Sequence, residues 1–381
     1  MNFRSYEIKD ICKIKSGKRL PKGTDFSEKP TKHKYIRARD IKNGKIDGSD
    51  LGYISEETQK KIERYIVNTN DIIITIAGTI GEVALVSKKF DGVNLTENAV
   101  RLTEFSKDVC PEFLAYILKS PERKEYMEQV AGGSAQPKLG IYKIEAIKVD
   151  LPDVQIQHKI ADILSAYDNL IENNQKQIKL LEEAAQRLYK EWFVDLRFPG
   201  HENTKIVDGV PEGWRRGLLK ELISVNYGKD HKKAPDDGNI PVYGSGGLMR
   251  KCNKSLFSGE AVLIPRKGSL NNIMYVDETF WTVDTMFYAT MKQPHTAVFV
   301  YFFVKAFDMY SMNIGAAVPS MTAKILDAMD VVIPDKETLE KFDKRAKVYF
   351  NKIKTLQGQN ERLKTARDLL LPKLMSGEVE V

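Results

Sequence analysis

A segment that occurs twice in the chain constrains the possible folds more than any other feature. GGSAQPKLGIYKIEAIKVDLP (residues 132–152) returns as GAAVPSMTAKILDAMDVVIP (residues 315–334). A shift of 182 positions aligns the two copies without a gap and matches Gly133 with Gly315 and Pro152 with Pro334. Chance does not easily produce such a match, so the chain is predicted to contain two related halves.

A long stretch with few Gly and Pro residues follows each copy, and its apolar residues recur at alternating intervals of four and three. This heptad spacing predicts two long helices, each with one apolar stripe. Each helix, about 35 residues long, would extend roughly 50 Å. The first stripe is Ile160, Leu164, Tyr167, Ile171, Asn174, Ile178, Leu181, Ala185, Leu188 and Trp192, and the second is Phe342, Ala346, Tyr349, Ile353, Leu356, Asn360, Leu363, Arg367, Leu370 and Leu374.

The single Asn in each stripe indicates how the helices pair. Buried amides need hydrogen-bond partners, and antiparallel helices would place the two amides in one layer. In a parallel pairing, Asn174 would instead face Leu356. The alternative is that each helix packs only on its own globular domain. The facing positions of the antiparallel arrangement are Asn174 with Asn360, Ile171 with Leu363, and Ala185 with Tyr349.

Two residues predict irregularities in the second helix. Pro372 lacks the N–H that an interior helical position needs and is expected to end or kink the helix. Gly358 is expected to cost about 1 kcal/mol relative to Ala and to make the helix less regular.

The remaining segments predict an α+β fold. Short runs rich in β-branched residues, at 65–67, 71–77, 82–86, 261–264 and 273–276, are predicted to be strands, and 111–118 and 296–305 to be helices. The connector 194–213 is rich in Gly and Pro and is interpreted as a boundary without secondary structure. The predicted domains are 1–152 and 197–334, two tandem α/β globules, separated by long helices at 153–196 and 335–381 that pair as an antiparallel coiled coil with pseudo-twofold symmetry.

Composition excludes some classes of protein. The 381 residues, 42% of them hydrophobic, are typical of a globular protein of two or three domains. No apolar run reaches the roughly 20 residues of a membrane-spanning helix, and no signal peptide is recognisable, so we expect a cytoplasmic protein without a membrane partner. The net charge of +7 suits a partner that carries phosphates, although proteins without such partners share it.

Catalytic motifs are not evident. The sequence has no phosphate-binding G-x-x-x-x-G-K-[ST] loop, and its five His and three Cys form no metal-ligand pair in sequence, so neither a catalytic residue nor a metal site is predicted. An acidic pair with a Lys at 335–337 resembles part of a nuclease site. It is better explained as the start of a helix, where acidic residues are favoured.

Loops with basic and hydrogen-bonding residues occupy matching places in the two halves. Such side chains can read base edges or hold phosphates, so the loops are predicted to contact double-stranded DNA. The candidates in the first half are Lys18, Arg37, Arg39, Thr79, Asn98, Gln136 and Lys138. Those in the second half are Lys229, His231, Lys232, Tyr243, Ser245, Arg266, Lys267, Ser269 and Asn271.

Three motifs resemble a known family. LYKEWFVDLRFPG (188–200), LLPKLMSG (370–377) and IQHKIADIL (156–164) are similar in combination to the specificity subunit of type I restriction–modification systems, and the resemblance covers the whole chain. It implies two target-recognition domains, each reading half of a split asymmetric DNA site. The helices would set the spacing, and a rod of roughly 50 Å would place the domains one to two DNA turns apart, at ~34 Å per turn.

The resemblance also implies partners. Specificity subunits of this family are not enzymes and hold two modification subunits, which bring S-adenosylmethionine and methylate adenine, while restriction subunits that use ATP join them. No cofactor is therefore expected on this chain itself. Because the helices are the family's docking surface, Tyr189, Trp192 and Phe193 are candidates for contact with a modification subunit. The alternative for these aromatics is packing against the second globule.

Two other functions stay open on the sequence alone. One is a coiled-coil adaptor that binds only protein, and the other is a self-contained DNA-cleaving enzyme with an unrecognised site. DNA binding that weakens steeply with salt would argue against the adaptor. Failure of the purified chain to cleave DNA with a divalent metal would argue against the nuclease.

Overall fold

The computed structural model describes residues 2–132, 137–312 and 320–381. Contacts divide the chain into two compact units: unit 1 is Met1–Ile171 with Glu361–Val381, and unit 2 is Glu172–Asn360. Both units combine helices with sheets, so the α+β class is confirmed. The units differ in extent from the four domains expected from sequence, because each long helix contributes one part to unit 1 and the other to unit 2.

Unit 1 is built on a four-stranded sheet of order β2-β10-β7-β8 and a three-stranded sheet of order β6-β3-β9. Every residue of β7 is buried, as its continuous apolar sequence predicts. The elements up to and including the first long helix are β1 Arg4–Glu7, α1 Ile8–Ile11, β2 Lys13–Ser16, β3 His33–Ile36, β4 Ile41–Lys42, β5 Lys45–Ile46, β6 Gly52–Ile54, α2 Glu56–Lys61, β7 Ile72–Thr75, β8 Val83–Leu85, β9 Asn94–Leu95, β10 Ala99–Thr103, α3 Pro111–Lys119, α4 Pro121–Val130, α5 Ile141–Glu145, β11 Lys148–Leu151 and α6 Val154–Tyr189.

Unit 2 is built on a six-stranded sheet of order β15-β20-β18-β19-β16-β17, in which β16 and β19 are parallel and the other neighbours antiparallel. The elements that follow α6 are β12 Ile206–Val207, β13 Val210–Pro211, β14 Arg215–Leu218, β15 Ile223–Tyr227, β16 Ile240–Gly244, β17 Gly247–Cys252, β18 Phe257–Pro265, β19 Met274–Thr282, β20 Met286–Met291, α7 Ala297–Lys305, α8 Ala323–Asp327, β21 Asp330–Ile333 and α9 Lys336–Ser376.

The repeated segment has the same role in both units. In unit 1, β11 pairs antiparallel with β1, the first strand of the unit. In unit 2, β21 pairs in the same way with β14. Each pairing leads the chain directly into a long helix, so the repeat anchors the start of that helix to the sheet-containing part of its unit.

Most predicted elements are present, and two predictions are wrong. Residues 65–67 do not form a strand, because only Ile66 makes an isolated bridge, to Asn94. The connector contains the small hairpin β12–β13. Phe198 and Trp214 flank this hairpin in sequence, and their rings lie 4.8 Å apart within the core of unit 2. Packing of these two aromatic side chains gives structure to a segment that its Gly and Pro content suggested was a loop.

The second long helix does not end at Pro372, which was one of the two outcomes expected there. α9 runs through both Gly358 and Pro372 to Ser376. Pro372 stands in the last turns, where the loss of one hydrogen bond is tolerated, and the buried Leu374 beyond it packs into the core of unit 1. Gly358 faces open space, so the helix loses only backbone propensity there.

Within unit 1, the beginning of α6 packs antiparallel against the end of α9. Ile160, Leu164 and Leu374 share one buried cluster with the sheet and with α3. Arg367 forms an ion pair with Asp168, and Asp168 also accepts a hydrogen bond from the hydroxyl of Tyr116. Of the pair predicted to face each other in this part of the helices, Ile171 is buried and Leu363 is half-buried.

Within unit 2, the end of α6 packs antiparallel against the beginning of α9. The side chain of Asn174 donates a hydrogen bond of 2.9 Å to that of Asn360. Further along, Ala185 and Tyr349 belong to one cluster, and the rings of Trp192 and Phe342 lie 5.8 Å apart. The helices are therefore paired in the antiparallel sense, and the alternative that each packs only on its own globule is wrong, although both helices also pack on the globular part.

Among the helices of residues 2–132, 137–312 and 320–381, none combines the length and the apolar character needed to cross a membrane.

Candidate nucleic-acid interface

Four backbone hydrogen bonds in unit 1 hold together the loops that contain the predicted contact residues. They are between 2.8 and 3.0 Å long. We call the surface formed by residues 17–18, 36–39, 76–79, 96–98 and 138 rim 1. The donor N–H and acceptor carbonyl pairs are Lys18 to Leu95, Thr96 to Ile36, Ile76 to Asn98, and Leu139 to Ile76.

Unit 2 contains the equivalent four hydrogen bonds, also between 2.8 and 3.0 Å long. We call the surface formed by residues 228–229, 243–249, 266–269 and 283–285 rim 2. The donor and acceptor pairs are Lys229 to Thr282, Val283 to Tyr243, Arg266 to Thr285, and Met321 to Arg266. The two units thus share a backbone frame although their side chains differ.

Glycines at matching places show how closely the backbone segments of each frame approach one another. A Cβ added to Gly17 would lie 2.0 Å from the carbonyl oxygen of Thr96, and one added to Gly228 would lie 2.0 Å from that of Val283. No side chain fits at either position. Gly78 and Gly268, which occupy corresponding turns, both have a φ of +82°. The first part of each rim therefore requires glycine for the same physical reasons.

The predicted contact residues of rim 1 differ in exposure. Lys18, Arg39, Thr79 and Lys138 are exposed, and Asn98 is half-buried. Glu97 adds one negative charge to rim 1, and it forms an ion pair with Arg19 at 2.6 Å. Gln136, also predicted to contact DNA, lies outside the described residues. The exposed cations leave rim 1 with an excess of positive charge.

Arg37 makes several hydrogen bonds within unit 1, which favours a structural role over its predicted contact with DNA. Its guanidinium makes two hydrogen bonds, of 2.8 and 2.9 Å, to the buried carboxylate of Asp40. It also bonds the backbone carbonyl of Asp50. Because its donors are used inside the unit, Arg37 holds the loop in shape and leaves contact with a ligand to the exposed Arg39.

Exposed cations also lie on rim 2 and beside it in the chain. Within rim 2, Lys229, Lys267 and Ser269 are exposed and Ser245 is half-buried. Beside it, Lys232 and Asn271 are exposed and His231 is half-buried. Lys233, Lys251 and Lys254 add exposed positive charge nearby in the chain. No motif in the sequence marks Lys251 and Lys254, because Lys is common on protein surfaces.

Three predicted contact residues of rim 2 have internal partners. Tyr243 donates a hydrogen bond of 2.6 Å to Glu278, and burial, reinforced by this carboxylate, raises the pKa of its hydroxyl. Asn271 bonds Asp308 and the backbone N–H of Met309. These two residues therefore stabilise loops.

Arg266 is the third of these residues, and part of it stays accessible. It donates to the carbonyl of Asp284 at 2.9 Å and stacks 4.9 Å above the ring of Tyr227. The ring of Tyr227 is 54% exposed, so Arg266 and Tyr227 together present a flat polar and aromatic surface beside rim 2.

An apolar hairpin in rim 2 was missed by the sequence analysis. Leu248 and Met249, at the start of β17, are 60% and 54% exposed. The sulfur of Met249 lies over Gly244, where a Cβ would meet it at 2.4 Å. In rim 1 the segment that follows the equivalent strand, β3, contains Arg37 and Arg39, so the two rims present side chains of different chemistry.

Tyr189 and Trp192, near the end of α6, are buried, as the alternative of packing against the second globule predicts. Tyr189 and Trp192 are 8% and 3% exposed. The ring of Phe193, half-buried, contacts those of Phe299 and Phe342 at 4.8 Å. Of the two possibilities raised by the sequence, packing within unit 2 is the one observed, because an apolar pocket between α7 and α9 takes up all three rings.

The acidic pair at the start of α9 caps the helix. Asp335 accepts hydrogen bonds from the backbone N–H and the hydroxyl of Thr338, at 2.9 and 2.7 Å. It also accepts one from the indole N–H of Trp214 at 3.0 Å. These bonds account for Asp335 without a catalytic role.

Comparison with known proteins agrees with the doubled architecture. A family model described as "Type I restriction modification DNA specificity domain" matches residues 2–183 and again residues 211–365. The MjaIX specificity subunit of Methanocaldococcus jannaschii is 26% identical over 370 residues, covering 86% of this chain and 82% of that protein. The HindI specificity subunit of Haemophilus influenzae is 22% identical and covers 99% of this chain and 100% of that protein.

A solved structure shows the same fold. The S subunit of a type I restriction–modification system from M. genitalium superposes with a TM-score of 0.64 at 19% identity. The match covers 98% of this chain and 96% of that one.

Proposed function

Because the chain belongs to the type I restriction modification DNA specificity family, we propose that it is the DNA-reading subunit of a type I restriction–modification complex. In this proposal each rim contacts half of a split, asymmetric DNA site. The chain itself carries out no catalysis. It determines where partner subunits act.

The doubled backbone frame with unlike side chains is the observation that supports this function best. Four equivalent hydrogen bonds fix the loops in each unit, so both rims can approach the same kind of ligand in the same way. Rim 1 offers Arg39 and Lys138, whereas rim 2 offers Arg266 and the apolar pair Leu248 and Met249. Two dissimilar readers of this kind suit an asymmetric site and not a palindrome.

The exposed residues suggest how the work is divided within each rim. Lys18 and Lys229, equivalent in the frame and both exposed, are suited to phosphates because they lie beside the same backbone turn. Arg39 and Arg266 can reach hydrogen-bond acceptors on base edges. Leu248 and Met249 can contact a thymine methyl group, which is apolar.

Partners are proposed from the family. Two modification subunits would bind the chain, bring S-adenosylmethionine and methylate adenine in each half-site, and restriction subunits would bring ATP. With Tyr189 and Trp192 buried, we assign docking to exposed apolar residues on the outer faces of the two long helices. These are Leu170 and Leu180 on α6 and Val348 and Leu369 on α9, all at least half exposed. A cytoplasmic location follows from this role, because the DNA substrate is there.

Methylome sequencing tests the function directly. Cells that carry the chain and its partners should show one bipartite adenine-methylation motif, and cells from which only this chain is deleted should lose that motif. Persistence of the motif in the deletion strain would contradict the proposal.

The two competing functions predict different outcomes in vitro. An adaptor that binds only protein would show no salt-dependent affinity for DNA, whereas contacts with phosphates make the affinity fall steeply with salt. A self-contained nuclease would cleave DNA when the purified chain is given a divalent metal, and we expect no cleavage.

A further inference from the structure

The fold brings together three potential metal ligands that are far apart in the sequence. Cys110 lies immediately before α3, Glu112 lies in the first turn of α3, and His158 lies near the start of α6. One ligand atom from each side chain lies within 4.8 Å of the others. Cys110 and His158 are thus close in space, although no spacing in the sequence pairs them.

A buried glutamine fixes the relative position of these residues. Gln157, which precedes His158, is fully buried, and its side-chain oxygen accepts the backbone N–H of Cys110 at 2.9 Å. Its side-chain nitrogen donates to the carbonyls of Asp108 at 2.9 Å and Pro152 at 2.8 Å. With all its hydrogen-bonding groups engaged, Gln157 joins the start of α6 to the segment before α3, so the proximity of Cys110 and His158 is built into the core of unit 1.

The surroundings of Cys110 favour a cation. Its sulfur lies 4.0 Å from a carboxylate oxygen of Glu112. A divalent cation there would be attracted by this carboxylate, and a coordinated thiol is deprotonated.

We propose that Cys110, Glu112 and His158 bind one divalent cation of the zinc class. The ligands would be the sulfur of Cys110, a carboxylate oxygen of Glu112 and an imidazole nitrogen of His158. Sulfur and imidazole ligands select zinc and related metals over magnesium and calcium, which prefer oxygen. Glu112 and His158 are exposed and can adjust their rotamers, while Cys110 is held in place.

Such a cation would link α3 to α6 within unit 1. Three protein ligands leave a fourth tetrahedral position for water, so the site would exchange metal with the solvent. Metal binding at this site is independent of DNA recognition and can be measured without DNA or partner subunits.

Cadmium serves as a spectroscopic probe for zinc at this site. The full-length chain, reduced and stripped with a chelator, is titrated with CdCl₂, and the sulfur-to-cadmium charge-transfer absorption is recorded in the ultraviolet. We expect one cadmium per chain, displaced by ZnCl₂, and a higher unfolding temperature with either metal. The Cys110→Ser variant should lose the absorption band.

Two surface variants and one control complete the test. His158→Gln and Glu112→Gln change exposed side chains, so they should fold normally and bind cadmium at least ~10-fold more weakly. Cys12→Ser is the matched control, because Cys12 is a buried cysteine of the same unit whose thiol bonds the carbonyl of Ile8. It should bind like the wild type.

A wild-type chain without the absorption band would overturn the proposal. So would a band that survives Cys110→Ser, or one that disappears in Cys12→Ser. Equal cadmium affinities of the wild type, His158→Gln and Glu112→Gln would restrict binding to the thiol alone and would also contradict the proposed site.

Discussion

At the scale of single residues, charged side chains close together in sequence have different roles. Arg37 and Arg39 both belong to rim 1, and the sequence offers no way to separate them. In the structure the side chain of Arg37 is 18% exposed and bound to Asp40, while that of Arg39 is 68% exposed. The difference arises from the buried Asp40, which accepts two hydrogen bonds from the guanidinium of Arg37, whereas Asp50 accepts from both arginines.

Substitution of these two arginines should separate stability from binding. Arg37→Ala leaves the buried carboxylate of Asp40 without its partner, so we expect the free energy of unfolding to fall by about 1.5–3 kcal/mol. Arg39→Ala should leave stability within about 0.5 kcal/mol of the wild type and weaken DNA binding. Urea denaturation and DNA titration at several salt concentrations measure the two effects. The reverse pattern would show that the two roles have been assigned to the wrong residues.

Gly228, a residue of rim 2, leaves no room for a side chain. In Gly228→Ala the new methyl group would overlap the carbonyl of Val283, so we expect a loss of about 1–3 kcal/mol in the free energy of unfolding. Gly246→Ala is the control in the same unit, because a Cβ there meets nothing within 4 Å. Equal stabilities of the two variants, measured by urea denaturation, would show that the frame does not need Gly228.

Lys119 gives unit 1 a pH dependence. Burial lowers the pKa of its ammonium group from 10.5 to about 8. Attraction to Asp168 opposes this shift, and repulsion from Lys45 and Arg367 adds to it. Because the folded state holds the proton less tightly than the unfolded state, the contribution of this group to stability rises as the pH increases from about 8 to about 10.5.

Replacement of Lys119 tests this dependence. Lys119→Met keeps the length of the side chain without its charge, so the variant should be more stable than the wild type at pH 7, by on the order of 1 kcal/mol. The difference should shrink towards pH 10, as the wild-type amine loses its proton. Urea denaturation of both proteins across this range is the measurement, and a difference that grows with pH would contradict the assigned pKa.

At the scale of elements, the two long helices were predicted from spacing alone. Alternation of four and three residues located both helices, and the single Asn in each stripe indicated the antiparallel direction that the hydrogen bond between Asn174 and Asn360 displays. Local rules were less reliable at Pro372. Tertiary packing of Leu374 continues the helix past a residue that would end it in isolation.

The asparagine pair should show strong coupling. Asn174→Leu leaves the buried amide of Asn360 without its partner, so we expect a loss of about 1–3 kcal/mol in the free energy of unfolding. The double variant Asn174→Leu, Asn360→Leu replaces both amides with apolar groups and should recover most of that loss. A double-mutant cycle by urea denaturation measures the coupling, and strictly additive effects would mean that the amides do not interact.

At the scale of the whole molecule, the sequence predicted the doubled architecture but not the exact contact residues. The repeat, the helices and the resemblance to the family depend on residue patterns that can be recognised within single segments of the sequence. Whether a given side chain is free depends on partners supplied by distant segments, such as Glu278 for Tyr243 and Asp308 for Asn271. For the same reason the proximity of Cys110 and His158 could not be read from their spacing.

The central claim is that two separate readers in one chain each specify half of the DNA site. Exchange of residues 1–150 for those of a relative with a different specificity, followed by methylome sequencing, tests this most directly. We predict a bipartite motif in which one half is altered and the other half is the same as before. A motif in which both halves change would contradict the account, and so would a motif in which neither half changes.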